Sequence, residues 1–142
     1  PLGTKEETTI TVNELKQSAL VSKIYLVGDI KGIEIEGAEQ LTDKSLSAGK
    51  TIQAIADKTK TEYVFIYTKT SALTLGQLAL DRFYKVATDT NSGLVYSNHR
   101  AIKDGKVENL PVIDYQEGSL RDDFNFGSVL FYDAKVLKDA AK

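Results

Sequence analysis

The order of apolar and polar positions along the chain predicts an alternation of helices and strands. Apolar residues recur at helical spacing in three segments, which is typical of one face of an amphipathic helix. These predicted helices run over Thr9–Val21, Ala48–Lys58 and Leu75–Thr88. Three short runs rich in β-branched and aromatic residues follow them and predict strands at Lys23–Asp29, Tyr63–Thr68 and Gly93–Asn98.

Strands that alternate with helices are the pattern of a βαβαβ unit, which favours right-handed crossovers and a parallel sheet. We therefore predict an α/β fold with a mainly parallel, Rossmann-like sheet and helices on both faces. The alternation of apolar and acidic residues in Ile33–Gly37 predicts a short edge strand, whereas Glu39–Leu46 is too polar for a core element. The turn Lys103–Lys106, between two β-type runs, predicts a β-hairpin insertion after the third strand.

The domain organisation follows from length. With 142 residues, the chain is long enough for one domain with its own core, and we expect a single domain over residues 1–142. It has no initiator methionine, and the strand-like run Val129–Tyr132 is followed by a helical pattern that stops with the chain. We therefore expect the chain to be a piece of a larger protein.

Composition excludes several classes of function. Eighteen basic and twenty acidic residues give a net charge of -2, so there is no basic field to attract nucleic acid. Without cysteine and with one histidine, the chain has no thiolate zinc site and no cluster of catalytic histidines. No apolar run approaches the roughly 20 residues that span a bilayer. We expect a cytoplasmic protein.

The turn after the second predicted strand holds the first candidate chemistry. In α/β sheets, ligands bind beyond the carboxyl ends of strands. Tyr67, Thr68, Lys69 and Thr70 supply there a phenol, two hydroxyls and an amine. The turn has no carboxylate, and carboxylates are what magnesium and manganese prefer. We therefore expect no metal site at this turn and no divalent cofactor.

Several segments taken together resemble a family-two glycosyltransferase of the GT-A fold, of the bacterial kind. IYLVGD resembles that family's second strand, and SAGKTIQAIADKTKTEYVFIYTKT resembles its helix and third strand. GLVYSNHRAIKDGK resembles the strand that ends in Y-S-D and the hairpin after it. DYQEGSLRDDFNFGSVLFYDAKVL resembles the segment that leads to a later strand. The resemblance runs through most of the chain.

The resemblance implies a nucleotide-sugar donor and a glycan acceptor. Asp29 would bind the base or ribose, although an aspartate after a strand also simply favours a turn. Lys69, with Thr68 and Thr70, would neutralise the diphosphate in place of a metal ion, although it also fits a solvated loop lysine. Three departures stand out: the family's first strand is absent, its D-x-D motif falls where this chain has Y-T-K-T, and its catalytic base would lie beyond Lys142.

Asp122 and Asp123 are candidates for binding the acceptor sugar, since they are adjacent acids followed by Phe124 and Phe126. A surface turn explains the same residues equally well, with Arg121 screening their charge. His99 follows a strand end, but it has no second histidine beside it and we expect a polar surface imidazole. Other aromatic residues that could stack a sugar, or belong to the core, are Tyr96, Tyr115, Tyr132 and Phe131.

Two functions remain open at this point. The first is a glycosyltransferase-like domain that handles a nucleotide sugar and a sugar acceptor, without turnover in the chain as given. The alternative is a non-catalytic sugar-binding or assembly module of the same fold. A generic nucleotide-binding regulator is disfavoured, because neither G-x-G-x-x-G nor a P-loop motif occurs.

Overall fold

A computed structural model of the chain describes residues 3–28, 34–42, 48–118, 120–121 and 123–142. Within these residues the helices are α1 (Lys5–Lys16), α2 (Ala48–Lys58), α3 (Ala79–Thr90) and α4 (Ala134–Ala140). The strands are β1 (Tyr25–Val27), β2 (Glu39–Thr42), β3 (Tyr63–Tyr67), β4 (Leu94–Tyr96), β5 (His99–Lys103), β6 (Lys106–Leu110) and β7 (Val129–Asp133).

The first helix begins earlier than its apolar spacing predicts, and a capping box explains the shift. The Thr4 hydroxyl accepts a hydrogen bond from the Glu7 N–H at 3.2 Å, and the Glu7 carboxylate accepts one from the Thr4 N–H at 2.9 Å. This reciprocal pair satisfies two backbone donors that would otherwise lack partners at a helix start. Helix α1 therefore starts at Lys5 rather than Thr9, and it ends at Lys16 rather than Val21.

The prediction of a mainly parallel, Rossmann-like sheet is wrong. The described strands form three small sheets, of which only the β1–β2 pair is parallel. The central sheet has the order β3–β7–β4, and β7 is antiparallel to both of its neighbours. Strands β1 and β3, which we expected in one sheet, lie in different sheets.

The error comes from strand β7. Strands β3 and β4 are joined through a helix and run in the same direction, as the βαβ pattern predicts, but they do not pair with each other. Strand β7 comes after the hairpin and inserts between them, with Val64 opposite Tyr132 and Leu94 opposite the same Tyr132. Periodicity within a segment identifies a strand but carries no information about a partner so far away along the chain.

The region after β1 also differs from the sequence prediction. Ile33 lies outside the described residues, and Glu34–Gly37 form no strand, with a turn at Glu36 and Gly37. The strand is instead β2, in a segment that we considered too polar for the core. Its Glu39 carboxylate lies 2.9 Å from the Lys23 ammonium, and this hydrogen bond raises the pKa of Lys23. Backbone pairing with β1 allows an exposed, polar strand to form here.

Two apolar clusters hold the elements together. The first joins α1 to β1 through Val12, Ile24, Leu26 and Ile35. The second packs α3 against one face of the central sheet and contains these buried residues: Phe83, Ala87, Val129 and Phe131. Phe131 stacks on Tyr63 at 5.1 Å between ring centroids and lies 5.7 Å from the Phe83 ring.

The predicted hairpin is present as strands β5 and β6. The strands are antiparallel, and Asp104 and Gly105 form their turn with φ angles of 51° and 72°. These left-handed conformations are typical of the two-residue turns that match the twist of a hairpin. The Val112 N–H donates to the Asn98 side-chain oxygen at 2.8 Å across the base of the hairpin, and the Tyr96 hydroxyl of β4 donates to the Ile113 carbonyl at 3.0 Å.

Candidate functional site

The carboxyl end of β3 lies at one end of the central sheet, where the amino end of β7 begins. Thr68 donates two hydrogen bonds to the Ser128 carbonyl, one from its backbone N–H at 2.9 Å and one from its hydroxyl at 3.1 Å. Strand β4 ends beside the same end of β7, with Tyr96 opposite Leu130. The ends of β3 and β4 therefore face the same side of the molecule, as binding at a sheet edge requires.

The turn after β3 is shaped by its own side chains. The Tyr67 hydroxyl donates to the Ser71 carbonyl at 3.1 Å and lies 3.1 Å from the Ser71 hydroxyl. This folds the turn back, so that Lys69 and Thr70 project at its tip and are exposed. Lys69 takes part in none of the ion pairs among the described residues, so its ammonium is free to meet an anion.

The segment that follows is attached to helix α1. The Leu73 N–H donates to the Thr11 hydroxyl at 2.9 Å, and the Leu75 N–H donates to the Glu14 carboxylate at 2.9 Å. Gly3 lies against the Thr70 carbonyl so closely that a Cβ on it would collide with that oxygen. The N-terminal end of α1 therefore lies beside the tip of the turn, and the first helix helps to fix its position.

A groove of about 790 Å³ opens beside this turn. Residues of α1, β1, α2, β3 and α3 line it. Most of its lining is apolar. Polar residues line it at the carboxyl end of β3, in Thr68–Ser71, and before its amino end, in Lys58–Glu62. Three of the four predicted donor-binding residues thus lie together at one groove. The fourth, Asp29, is outside the described residues.

The predicted acceptor site lies at the same end of the central sheet. Asp123 is exposed and its carboxylate lies 3.1 Å from the Arg121 guanidinium, while Asp122 is outside the described residues. The rings of Phe124 and Phe126 lie 6.1 Å and 5.2 Å from the ring of Tyr96, at the end of β4. Asp123 therefore adjoins an aromatic cluster, which we define as Tyr96, Phe124 and Phe126.

The other candidate aromatics are divided between core and surface. Phe131 is buried in the centre of the sheet, where it is not accessible to a sugar. Tyr132 is half-buried on the same strand, and burial raises the pKa of its hydroxyl. Tyr115 is exposed. Of the four candidates, Tyr96 has ring contacts with Phe124 and Phe126, which follow Asp123 in the sequence.

His99 lies at the start of β5, opposite Leu110, and not at the groove. Its imidazole is half-buried, whereas we expected it at the surface, and its Nδ1 is buried without a hydrogen-bond partner. A Cβ at Gly127, which has a φ of 84°, would lie 3.5 Å from that nitrogen. His99 therefore packs against the segment that leads into β7.

Sequence reasoning missed the residues that hold the site in place. Ser128 fixes Thr68 from 60 positions away, and Thr11 and Glu14 hold the segment after the turn from more than 60. No spacing in the sequence signals such contacts. The aromatic pair Phe124 and Phe126 was visible in the sequence, but its contact with Tyr96 was not.

The described residues contain no group of three or more histidine, aspartate or glutamate side chains that could hold a metal ion. None of the helices in the described part of the chain has both the length and the apolar character needed to cross a membrane. Comparisons with protein-family models, with curated proteins and with solved structures found no match for this chain.

Proposed function

We propose that the chain is a glycosyltransferase-like domain that binds the diphosphate of a nucleotide sugar through Lys69. The observation that carries the proposal is that Thr68, Lys69 and Thr70 line a predominantly apolar groove together, at the carboxyl end of β3. An unpaired lysine at the tip of a turn is a competent point charge for phosphate. Flanking hydroxyls can donate further hydrogen bonds to phosphate oxygens.

The apolar part of the groove supports a ligand with a planar or apolar portion next to its charged one. Ligand sites are commonly lined by apolar side chains with a few polar groups that fix orientation. A glycan acceptor would approach from the aromatic cluster, where Asp123 offers a carboxylate to sugar hydroxyls. Both proposed subsites lie at the same end of the central sheet, as transfer between two sugars demands.

We propose further that the chain binds without turnover. Glycosyl transfer requires stabilisation of the leaving diphosphate and, in this family, a carboxylate that deprotonates the acceptor. General acid–base catalysis contributes roughly a hundredfold to ten-thousandfold in rate. Lys69 supplies a single charge, and the Asp123 carboxylate is engaged by Arg121. This arrangement fits donor binding better than catalysis.

The test is nucleotide binding by wild type and by two charge-matched variants. We expect Lys69→Ala to weaken the binding of nucleoside diphosphates by about fivefold to tenfold, because one charge-assisted contact is lost. Lys106→Ala removes another exposed lysine, at the start of β6, and should leave the affinity unchanged. Titration calorimetry with uridine, guanosine and adenosine diphosphates measures both effects.

Two results would contradict the proposal. One is an equal loss of affinity in Lys69→Ala and Lys106→Ala, which would indicate nonspecific attraction by surface charge. The other is the absence of saturable binding by any nucleoside diphosphate. Release of nucleotide from nucleotide sugars well above background would separately overturn the claim that the chain lacks turnover.

The alternative of a non-catalytic sugar-binding module is favoured by one observation, the aromatic cluster beside Asp123. Aromatic rings stack on the apolar faces of sugars, and a neighbouring carboxylate accepts hydrogen bonds from their hydroxyls. Two results together would support this module over the donor-binding domain. The wild-type chain would bind oligosaccharides but no nucleotides, and Phe124→Ala would abolish the binding of oligosaccharides.

A further inference from the structure

Two strands that line the groove, β1 and β3, each have one edge without a strand partner among the described residues. Among the described residues, β1 pairs with β2 alone, and β3 pairs with β7 alone. Both strands line the groove along their full length. An unpaired strand edge presents N–H and C=O groups that can pair with another strand.

The groove reaches both faces of the central sheet. In β3, Tyr63, Phe65 and Tyr67 pack on the α3 side, and Val64 and Ile66 point to the opposite face, since side chains alternate along a strand. All five of these residues line the groove. A cavity that is lined by residues from both faces of a strand lies at the edge of that strand.

The hydrogen-bond register of β3 shows which backbone groups face the groove. At the two ends of the ladder, the Thr68 N–H donates to the Ser128 carbonyl and the Ala134 N–H donates to the Glu62 carbonyl. Bonded and non-bonded pairs alternate in an antiparallel ladder. The even-numbered residues of β3 are therefore bonded to β7, and the odd-numbered ones point away from it.

Tyr63, Phe65 and Tyr67 thus direct their backbone N–H and C=O groups into the groove. One hydrogen bond of Tyr63 agrees with this direction. The Tyr63 carbonyl accepts a hydrogen bond of 2.7 Å from the Thr61 hydroxyl rather than from β7. An array of outward-facing backbone groups on a partly exposed strand is a template for strand addition.

The size of the groove fits one strand. A strand has a length of about 3.3 Å per residue, a width of about 4.8 Å in the plane of the sheet and a thickness of about 10 Å including its side chains. Five residues therefore fill roughly 800 Å³. The groove measures about 790 Å³. Apolar residues line it from three helices: Val12 and Leu15 of α1, Ile52 and Ile55 of α2, and Leu80 and Tyr84 of α3.

We propose that the groove between β1 and β3 binds an extended, apolar peptide strand of about five residues, supplied by a polypeptide segment outside residues 1–142. Such a strand would pair with the free edges of both β1 and β3 and join them into one sheet. Its side chains would fill the apolar lining on both faces. The groups at Thr68–Ser71 lie beyond the end of β3, but the strand would fill the apolar lining that the proposed nucleotide also uses, so the two ligands would compete for the groove.

The test compares two synthetic peptides that differ only in backbone donors. The probe is a run of five valine and isoleucine residues flanked by lysines and labelled with fluorescein. The control has the same side chains with N-methyl groups on alternate amides. We expect saturable binding of the first in fluorescence anisotropy and binding at least about tenfold weaker for the control, because two or three backbone hydrogen bonds are lost.

Amide hydrogen exchange locates the bound peptide. On addition of the unmodified peptide, exchange at Phe65 and Tyr67 should slow by about tenfold or more, whereas Val64 and Ile66, already bonded to β7, should change little. The substitution Val64→Lys places a charge in the apolar lining and should abolish binding. Val86→Lys, on the exposed side of α3, is the matched control and should bind normally.

Three outcomes would overturn the proposal. Equal binding of the two peptides would show that backbone pairing plays no part. Unchanged exchange at Phe65 and Tyr67 would place the peptide elsewhere. A dimer in sedimentation experiments, with Phe65 already protected in the free protein, would assign the groove to a second copy of this chain. The peptide comparison uses the wild-type chain, so it decides the matter even where Val64→Lys does not fold.

Discussion

At the scale of single residues, Leu78 has the least favourable backbone conformation for its type. It precedes helix α3 with φ 55° and ψ 27°, in the left-handed region, and its side chain makes no capping hydrogen bond. A bulky residue is rare in this region because its Cβ crowds the backbone. Leu78 is 64% exposed, so little packing compensates for the strain.

We therefore expect Leu78→Gly to stabilise the chain by about 0.5–1 kcal/mol, as relief of left-handed strain exceeds the entropy that glycine adds to the unfolded state. Urea denaturation followed by circular dichroism measures the change. Leu78→Ala is the control, because it removes the exposed side chain and keeps the Cβ. A gain of equal size in Leu78→Ala would assign the effect to loss of an exposed leucine rather than to the backbone.

The candidate site also illustrates how far single residues could be predicted. Thr68, Lys69 and Thr70 were chosen as candidates because they follow an apolar run, and the end of a strand is a common place for a ligand; their role stays a prediction. The apolar groove beside them was not recognisable, since it depends on how α1, β1, α2 and β3 are arranged in space. The contacts that fix the turn, from Ser128 and Glu14, connect residues far apart in the sequence.

At the scale of elements, α3 packs against the central sheet through the second apolar cluster. Phe131 lies on β7, the middle strand, and is 7% exposed. Its ring contacts Tyr63 from β3 and Phe83 from α3. It therefore joins two strands and one helix, and no other aromatic residue of this cluster lies on the middle strand.

We expect Phe131→Ala to lower the free energy of unfolding by about 3–5 kcal/mol, since it leaves a large cavity where three elements meet. That is a large part of the roughly 5–15 kcal/mol that stabilises a typical domain. Thermal and urea unfolding provide the measurement. Val107→Ala, at a 62% exposed position of the hairpin, should change stability by less than about 0.5 kcal/mol. Similar losses in the two variants would contradict this account of the core.

The elements themselves were largely predictable, whereas their pairing was not. The bounds of α2, Ala48–Lys58, agree with the prediction because its apolar face has a clear helical period. Strand β2 was missed because its side chains are polar and its stability comes from backbone pairing with β1. The antiparallel placement of β7 depends on contacts between distant segments, which a pattern within one segment does not encode.

At the scale of the whole molecule, the distribution of carboxylates predicts the response to divalent cations. The turn Tyr67–Thr70 offers hydroxyls and an ammonium, and magnesium and manganese bind hard anionic oxygen ligands in preference to these. We expect calorimetric titration with manganese to show no saturable site at micromolar concentration, and added manganese to leave nucleotide affinity unchanged. A stoichiometric site that disappears in an Asp122→Ala, Asp123→Ala variant would contradict this and would place the metal near the aromatic cluster.

The position of β7 in the middle of the central sheet has a consequence for biosynthesis. Strands β3 and β4 leave the ribosome before β7, but β7 supplies the hydrogen-bond partners that both of them have in this sheet. Until β7 has been synthesised, β3 is an apolar segment without a strand partner in this sheet. Such segments aggregate or are bound by chaperones. Pairing across about 60 residues also slows folding. The central sheet therefore assembles only after translation has passed Asp133.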